Sequence, residues 1–206
     1  MNDPLRIQNI SAPIAGNDYT PFMDRLKEIY AAMDQKCREA ADYYGFECIG
    51  CEDSCCLTRF YHFTLTEYLY IKEGYRCLEK KMQDQVKQRS LGVCRKAEAA
   101  DEKGTSLRLM CPLNVDSLCI LYPYRPMICR LHGLPYELRR PGRGILNSPG
   151  CHTFTLRCQG KIPFKFDRTP FYVQMAALEK EVRQAAGMTQ KIKMTVAQMI
   201  ASFWEE

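Results

Sequence analysis

Residues 48–56 read Cys48-Ile-Gly-Cys51-Glu-Asp-Ser-Cys55-Cys56 and place four thiols within nine positions. Two cysteines separated by two residues can turn both sulfur atoms toward one point, which is why this spacing recurs in thiolate zinc and iron–sulfur sites. Cys55 and Cys56 are adjacent, so their side chains leave the backbone in different directions. At most one of them therefore joins Cys48 and Cys51 at a common ion.

The chain as a whole is rich in cysteine. Twelve cysteines in 206 residues are several-fold more than an ordinary soluble domain carries. The N-terminus, Met-Asn-Asp-Pro-Leu-Arg, lacks the basic-then-apolar run of a secretory signal, and no long uncharged stretch could span a membrane. We therefore expect a cytoplasmic protein with reduced thiols, in which metal or cluster ligation is favoured over the disulfides of a processed precursor.

More cysteines follow in the stretch from Cys111 to Pro170, which contains eight prolines and no sustained helical period. This composition predicts loops and short strands. The cysteines in question are Cys111, Cys119, Cys129 and Cys151, and their spacing lacks the second Cys-x-x-Cys of a zinc ribbon. Iron–sulfur proteins commonly take three ligands from a tight run and a fourth from far away, so a cluster suits the pattern at least as well as zinc.

Helix signals lie on the N-terminal side of this stretch. Thr20-Pro21 supplies an N-cap and a proline at the first helical position, and it predicts a helix of about 24 residues ending near Gly45. Thr64 and Glu67 form a capping box, which predicts a helix broken at Gly74, or two helices, reaching about residue 90. The segment 95–106 is polar, and we expect it to be exposed at least in part.

Helix signals also lie on its C-terminal side. Thr169-Pro170 repeats the cap-plus-proline signal, Gly187 stops that helix, and a last amphipathic turn or two begins at Val196. Together these signals predict a mostly α fold, in which a helical shell surrounds an irregular, loop-rich cysteine core over residues 44–152. We expect a single domain over residues 1–206, with residues 1–19 as an extended arm.

The tight run is followed by Cys111-Pro-Leu, Cys119-Ile-Leu-Tyr122 and Arg125-Pro126-Met-Ile-Cys129-Arg130. In this order and at these distances the pieces resemble the YkgJ-like cysteine-cluster family, described as zinc- or iron-chelating domains. The match covers about residues 44–152, with two departures: three residues instead of the commoner two precede the Cys-Cys pair, and His132 stands where an aromatic is usual. The resemblance implies metal-site roles for Cys48, Cys51, Cys55, Cys56, Cys111, Cys119 and Cys129, and the pattern around Cys151 is looser.

The resemblance also bears on function, because one relative with this type of cysteine domain is the flagellin lysine N-methylase, for which an iron–sulfur centre has been proposed. Our first hypothesis is an iron–sulfur protein with a [4Fe–4S] cluster, or a mononuclear-iron protein, whose centre has a redox or substrate-binding role. The second is a non-catalytic zinc protein that acts as a scaffold or metal-handling module. The third and weakest is a methyl-transferring enzyme. Whether the chain is an enzyme stays open at this stage.

Positive charge is concentrated between residues 120 and 168, where nine Lys or Arg residues stand against two acidic ones, in a chain of net charge +5. Cations stabilise a centre built from anionic thiolates, and Arg125 and Arg130 are the best candidates for this role beside the cofactor. The basic region from 125 to 168, with Arg139, Arg140 and Arg143, could also bind an anionic small molecule or protein substrate. No pattern here is typical of nucleic-acid binding, and we expect none.

The remaining cysteines and the histidines have plainer explanations. Cys37, Cys77, Cys94 and Cys158 lie in helical or flanking segments without a second cysteine nearby, and a buried reduced cysteine behaves as a small hydrophobic residue. His62, His132 and His152 lack ligand spacing, so we predict hydrogen-bonded structural roles for them. His152 is the best candidate ligand of the three because it adjoins Cys151.

Overall fold

The structure, a computed structural model, describes residue 10 and residues 16–48, 54–158 and 160–203. Within these residues the chain forms seven α-helices and two antiparallel sheets of two strands each, so the mostly α prediction is confirmed. The helices are α1 (Thr20–Tyr44), α2 (Leu65–Arg76), α3 (Lys80–Glu102), α4 (Met127–Leu131), α5 (His152–Arg157), α6 (Thr169–Ala186) and α7 (Val196–Ala201). The strands are β1 (Asn114–Val115), β2 (Leu118–Cys119), β3 (Tyr136–Arg140) and β4 (Gly144–Ser148). Among the described helices, none has the length and apolar character needed to cross a bilayer.

The chain divides into two compact units, each assembled from segments that are distant in the sequence. The first unit contains Met1–Tyr19, Cys56–Pro126 and Val182–Glu206, and the second contains Thr20–Cys55 and Met127–Glu181. The single domain expected over residues 1–206 stays a prediction. The expected N-terminal arm falls largely outside the described residues, although Ile10, which is described, is buried.

Helix α1 of the second unit follows the local signals in the sequence. It ends at Tyr44, and the next residue, Gly45, has φ +56°, a left-handed conformation that glycine adopts without a steric penalty. At this end the ring of Phe154 is edge-on to Tyr44, with centroids 4.8 Å apart, and to Phe46, with centroids 5.1 Å apart. The aromatic cluster anchors the C-terminus of α1 in the core of the unit.

Two helices follow the capping box in the first unit. The Thr64 side-chain oxygen accepts a hydrogen bond from the backbone of Glu67 at 3.2 Å, as predicted, and α2 then runs unbroken through Gly74 to Arg76. A Cβ atom built on Gly74 would lie 2.4 Å from Cγ of Tyr124. The glycine therefore permits the close approach of the Tyr124 ring, and it does not break the helix.

Helix α3 extends to Glu102, so the prediction that this helical region ends near residue 90 was wrong. The polar residues 95–102 are rich in alanine, glutamate and lysine, which are strong helix formers, and Ala100 is buried on the inner side of the helix. The end of the helix was placed too early because the polar composition hid this narrow apolar stripe. Exposure of most of the segment agrees with the prediction.

The core of the first unit lies where α3 packs against α7. Cys94 of α3 is buried with Ala197 and Ala201 of α7. A capping box starts α7, in which the Thr195 side chain and the Gln198 side chain each accept a hydrogen bond from the other residue's backbone. Beyond α7 the ring of Phe203 contacts Tyr68, with centroids 5.2 Å apart. Helix α2 contacts the segment 111–125 of the same unit through the Tyr70 hydroxyl, which donates to the Pro123 carbonyl at 3.1 Å.

Candidate metal centre

The β1–β2 hairpin lies between two of the predicted ligands. Asn114 pairs with Cys119, and Asp116 and Ser117 form the turn with φ values of 49° and 67°. Left-handed values at both turn residues are typical of the two-residue hairpin turn whose twist matches that of the strands. The backbone N–H of Asn114 donates to the carbonyl of Cys111 at 3.0 Å. Cys111 and Cys119 therefore lie at the two ends of one short, defined piece of backbone.

Cys111 and Cys119 have the same local environment. In each case a backbone N–H two residues later, that of Leu113 or Leu121, makes a hydrogen bond to the cysteine that favours its thiolate form. Leu113 and Leu121 are both buried. Hydrogen bonds to the sulfur are one of the means by which proteins tune thiolate metal centres. The hairpin thus presents two cysteines with backbone donors already in place.

Cys56 belongs to the same neighbourhood. Its carbonyl accepts a hydrogen bond of 2.9 Å from the backbone N–H of Cys111, and its thiol interacts electrostatically with both Cys111 and Cys119. It lies in a 3₁₀ turn, Cys55–Leu57, that ends the tight cysteine run. Three of the eight predicted ligands are therefore brought together within the first unit.

The electrostatics of this group depend on burial. Burial raises the pKa of Cys111 to about 12 and raises the pKa of Cys119 as well, against the opposing effect of the backbone hydrogen bonds. Both thiols are therefore protonated at neutral pH in the absence of a metal ion. A bound cation would reverse this, because a coordinating thiol is deprotonated.

Two arginines interact electrostatically with two of the three cysteines. Arg125, one of the two arginines predicted to lie beside the cofactor, acts to lower the pKa of Cys119. Its guanidinium lies 3.5 Å over the Tyr122 ring, and its Nε donates a hydrogen bond to the Tyr122 carbonyl at 3.1 Å. Arg89 of α3 acts to lower the pKa of Cys111. The sequence analysis missed Arg89 because an arginine in a polar helix carries no local sign of what it faces.

We refer to Cys56, Cys111 and Cys119 together as the three-cysteine group.

No protein-family model, no curated protein and no solved structure matches this chain. The resemblance to the YkgJ-like family thus depends on the quoted motifs alone.

The other five predicted ligands are placed separately. Cys51 lies outside the described residues, and Cys48, Cys55, Cys129 and Cys151 belong to the second unit. Cys151 is the N-cap of α5, where its sulfur accepts a hydrogen bond from the backbone of Phe154 at 3.3 Å. Cys48 is exposed, and Cys129 lies in α4.

The positions of the described side chains set a limit on the centre. In the described part of the chain, no three His, Cys, Asp or Glu side chains are arranged so as to hold a metal ion as they stand. No disulfide joins any two of the eleven described cysteines. The members of the three-cysteine group therefore share a neighbourhood, but their sulfur atoms are too far apart to bind one metal ion. Binding a metal would require the three sulfur atoms to move closer together.

Arg130, the other arginine predicted to lie beside the cofactor, has an environment of its own in the second unit. It is buried, and its guanidinium donates a hydrogen bond of 2.5 Å to the Asp34 carboxylate and lies 4.2 Å over the Tyr30 ring. Its backbone carbonyl accepts a hydrogen bond from the Cys37 thiol at 3.5 Å. Its positive charge is thus balanced by a carboxylate.

The basic region is divided between buried and exposed arginines. Arg168 is buried, donates hydrogen bonds to the carbonyls of Leu131 and Leu134 and lies 3.7 Å over the Tyr136 ring, and burial lowers its pKa to about 10. Arg139 pairs with Asp167 at 3.6 Å. Arg140 and Arg143 are exposed at the end of the β3–β4 hairpin. Much of the predicted basic region therefore has a structural role within the second unit.

Of the four cysteines predicted to be structural, Cys94 and Cys158 are buried as expected, Cys37 is partly buried, and Cys77 is not buried. Cys94 is in the α3–α7 core, where burial raises its pKa to about 11, and Cys158 is buried near the Tyr44 carbonyl. Cys77 is exposed, with its sulfur 3.8 Å from the Tyr124 hydroxyl. His62 is buried, and its backbone forms an antiparallel β-bridge with the backbone of Met194. His152 is exposed.

Proposed function

We propose that the chain is a metal-binding cysteine-cluster protein whose centre is held by Cys56, Cys111 and Cys119. The observation that carries the proposal is the hydrogen bond of 2.9 Å from the backbone N–H of Cys111 to the Cys56 carbonyl, next to the β1–β2 hairpin that contains Cys119. A thiolate is a stronger hydrogen-bond acceptor than a protonated thiol, so the backbone near Leu113 and Leu121 favours the thiolate form of Cys111 and Cys119. The backbone thus brings three candidate thiolate ligands into one neighbourhood.

An iron–sulfur cluster is the centre that we propose first, with a redox or substrate-binding role. Such clusters are held by cysteine thiolates, and their potentials are set in part by hydrogen bonds to sulfur and by solvent exposure. The three-cysteine group supplies three thiols, and each loses its proton to solvent and becomes a thiolate when the centre binds. With three protein ligands, a further coordination position is available to another thiolate or to a substrate. Membership in the YkgJ-like family is part of the same proposal.

The same proposal includes a location and a partner. A thiolate centre needs reduced cysteines, which the cytoplasm maintains. The anionic small molecule or protein substrate expected at the basic region would contact Arg140 and Arg143, which are exposed at the end of the β3–β4 hairpin. Zinc in a closed tetrathiolate site would instead identify a scaffold or metal-handling protein.

The experiment that tests the ligand set is a titration of the anaerobic, reduced chain with Co²⁺, which gives near-ultraviolet charge-transfer absorption when bound by thiolates. We expect this band in the wild type and its loss or strong weakening in Cys56→Ser, Cys111→Ser and Cys119→Ser. The matched control is Cys77→Ser, which changes an exposed cysteine of the same unit and should leave the band intact. A band of full intensity in all three ligand variants would exclude the proposed centre.

A further inference from the structure

Strand β4 is the outer strand of the β3–β4 sheet. Its partner β3 is also bonded on the opposite side to the segment leading into α6, because Glu137 donates to the Phe166 carbonyl and accepts from the Arg168 backbone N–H, each at 2.9 Å. The backbone N–H of Arg139 donates on that side too, to the Thr169 hydroxyl at 2.8 Å. Within the described part of the chain, β3 therefore has backbone neighbours on both sides, and β4 has one on a single side.

The register of the hairpin determines which backbone groups of β4 face outward. In an antiparallel pair, two facing residues either exchange both backbone hydrogen bonds or direct their groups away from each other. Glu137 directs its groups away from β4, so its partner Asn147 directs its own toward the outer edge. The same holds for Ile145, the partner of Arg139. The N–H and C=O groups of Ile145 and Asn147 thus line this edge, where no described residue bonds to them.

Strand β4, all of whose residues are described, lacks the usual protection of an edge strand. Natural edge strands are commonly protected by charged side chains, prolines or bulges along the strand. The sequence Gly144-Ile-Leu-Asn-Ser148 contains neither a charged residue nor a proline, and the pairing with β3 has no bulge. The side chain of Ile145 is half exposed and would be covered by a facing residue of an added strand. The edge is therefore suited to pairing with an extended segment.

The charge at the turn of the hairpin indicates what kind of segment would pair there. Arg140 and Arg143 are exposed and form no ion pair with a described residue, whereas Arg139 is paired with Asp167 at 3.6 Å. The sequence from 138 to 166 contains no aspartate or glutamate. A segment that carries carboxylates would gain ion pairs at this turn, and a basic segment would be repelled.

We propose that the outer edge of β4 binds an acidic, extended segment of a partner protein, which adds to the sheet through the backbone of Ile145 and Asn147. Strand addition takes its affinity from main-chain hydrogen bonds and its specificity from side chains. Here the specificity comes from carboxylates that contact Arg140 and Arg143. This inference rests on the proposed function for the negative charge of the partner, and it specifies where and how that partner is held. It does not require the metal centre.

The test measures binding of a fluorescein-labelled peptide, Glu-Glu-Val-Thr-Val-Thr-Val-Glu-Glu, to the full chain by fluorescence anisotropy. The β-branched centre favours a strand, and glutamates at both ends can reach the arginines in either strand direction. We expect saturable binding with a Kd below about 1 mM. A peptide N-methylated at its central residues keeps the side chains and the charge but loses the N–H donors, so it should bind at least about tenfold more weakly.

Asn147→Pro removes an outward-facing N–H and leaves the β3–β4 hydrogen bonds in place, because the Asn147 N–H points away from β3. We expect at least about tenfold weaker peptide binding. The matched control is Asn147→Thr, which keeps the N–H and should bind within about twofold of the wild type.

A second pair of variants tests the charge of the partner. Arg140→Gln combined with Arg143→Gln should weaken binding about three- to tenfold, because exposed ion pairs contribute modestly. Lys180→Gln removes an exposed cation of α6 in the same unit and should leave binding within about twofold of the wild type. A peptide with lysine in place of each glutamate should bind more weakly than the acidic one.

The outcomes that overturn the inference are distinct. Equal binding of the acidic peptide and its N-methylated version, or by Asn147→Pro and Asn147→Thr, would exclude strand addition, and equal binding of the acidic and basic peptides would exclude an acidic partner. Self-association of the wild type that Asn147→Pro abolishes would assign the edge to a second copy of the chain. Should Asn147→Pro not fold, the N-methylated peptide decides.

The Co²⁺ charge-transfer band of the same preparation tests the metal centre separately. Saturable binding of the acidic peptide without the band would keep this inference and overturn the centre. The band without peptide binding below about 1 mM would keep the centre and overturn this inference.

Discussion

Replacing Gly74 with alanine tests the packing that holds the segment between Cys119 and Arg125. The added Cβ would lie 2.4, 2.6 and 2.8 Å from Cγ, Cδ2 and Cβ of Tyr124, which are atoms at the base of that side chain and cannot swing away. Overpacking of this kind costs about 1–3 kcal/mol, and contacts this close place it near the upper end. Alanine in a helix interior returns about 1 kcal/mol relative to glycine. The net expectation is a loss of about 2 kcal/mol in the free energy of unfolding.

The assay is urea denaturation followed by circular dichroism, with Gly92→Ala as the matched control. Gly92 lies inside α3, and a Cβ built there has no atom within 4 Å, so this substitution should stabilise the chain by about 1 kcal/mol. The two glycine-to-alanine changes are thus expected to have opposite signs.

A double-mutant cycle isolates the contact with the ring. In a Tyr124→Gly background all three clashing atoms are gone, and Gly74→Ala should stabilise the chain by about 1 kcal/mol, which corresponds to a coupling of about 3 kcal/mol between the two sites. If Gly74→Ala stabilises the wild type as much as Gly92→Ala does, the reasoning about close approach is refuted. The same holds if its cost is unchanged when the ring is removed.

Two further predictions concern buried charged or titratable groups. Burial lowers the pKa of His62 below its ordinary value of 6.5, so the unfolded chain takes up a proton first as the pH falls. The free energy of unfolding should therefore decline below pH 6.5, by at most about 1.4 kcal/mol per pH unit. His62→Gln should flatten this part of a plot of unfolding free energy against pH, and an unchanged slope would contradict the assignment. Arg168→Lys should lower the free energy of unfolding by about 2–4 kcal/mol in urea melts, because lysine cannot both reach two carbonyls and stack on a ring. The exposed Arg140→Lys should change it by less than about 0.5 kcal/mol, and equal effects of the two substitutions would remove the structural role of Arg168.

Helix starts and stops could be read from the sequence where the signal is local. The proline after Thr20, the glycine after Tyr44 and the capping boxes act through adjacent backbone, so they predict α1 and the beginning of α2 correctly. The role of Gly74 could not be read in this way, because it depends on Tyr124, which is distant in the sequence. The end of α3 was misplaced for a different reason, since residues 95–102 have good helix propensity but only a narrow apolar stripe.

The site was predictable in kind but not in arrangement. Cysteine spacing and the family resemblance indicate which residues are candidate ligands, and they do so without any knowledge of the fold. Which of them share a neighbourhood depends on the long-range backbone hydrogen bond between Cys111 and Cys56 and on the hairpin turn at Asp116 and Ser117. Arg89 has no signal in its own neighbourhood of sequence, because its electrostatic interaction with Cys111 depends on the fold.

The most direct test of the account is the content of iron, zinc and acid-labile sulfide per chain, measured on wild type and on Cys111→Ser after expression and purification without oxygen. The account predicts iron with a comparable amount of sulfide in the wild type and a strong loss of both in the variant. Zinc without sulfide would keep the thiolate centre but replace the redox or substrate-binding role with a structural or metal-handling one. Absence of all three from the wild type, or equal metal in the two proteins, would contradict the claim that Cys56, Cys111 and Cys119 hold a metal centre.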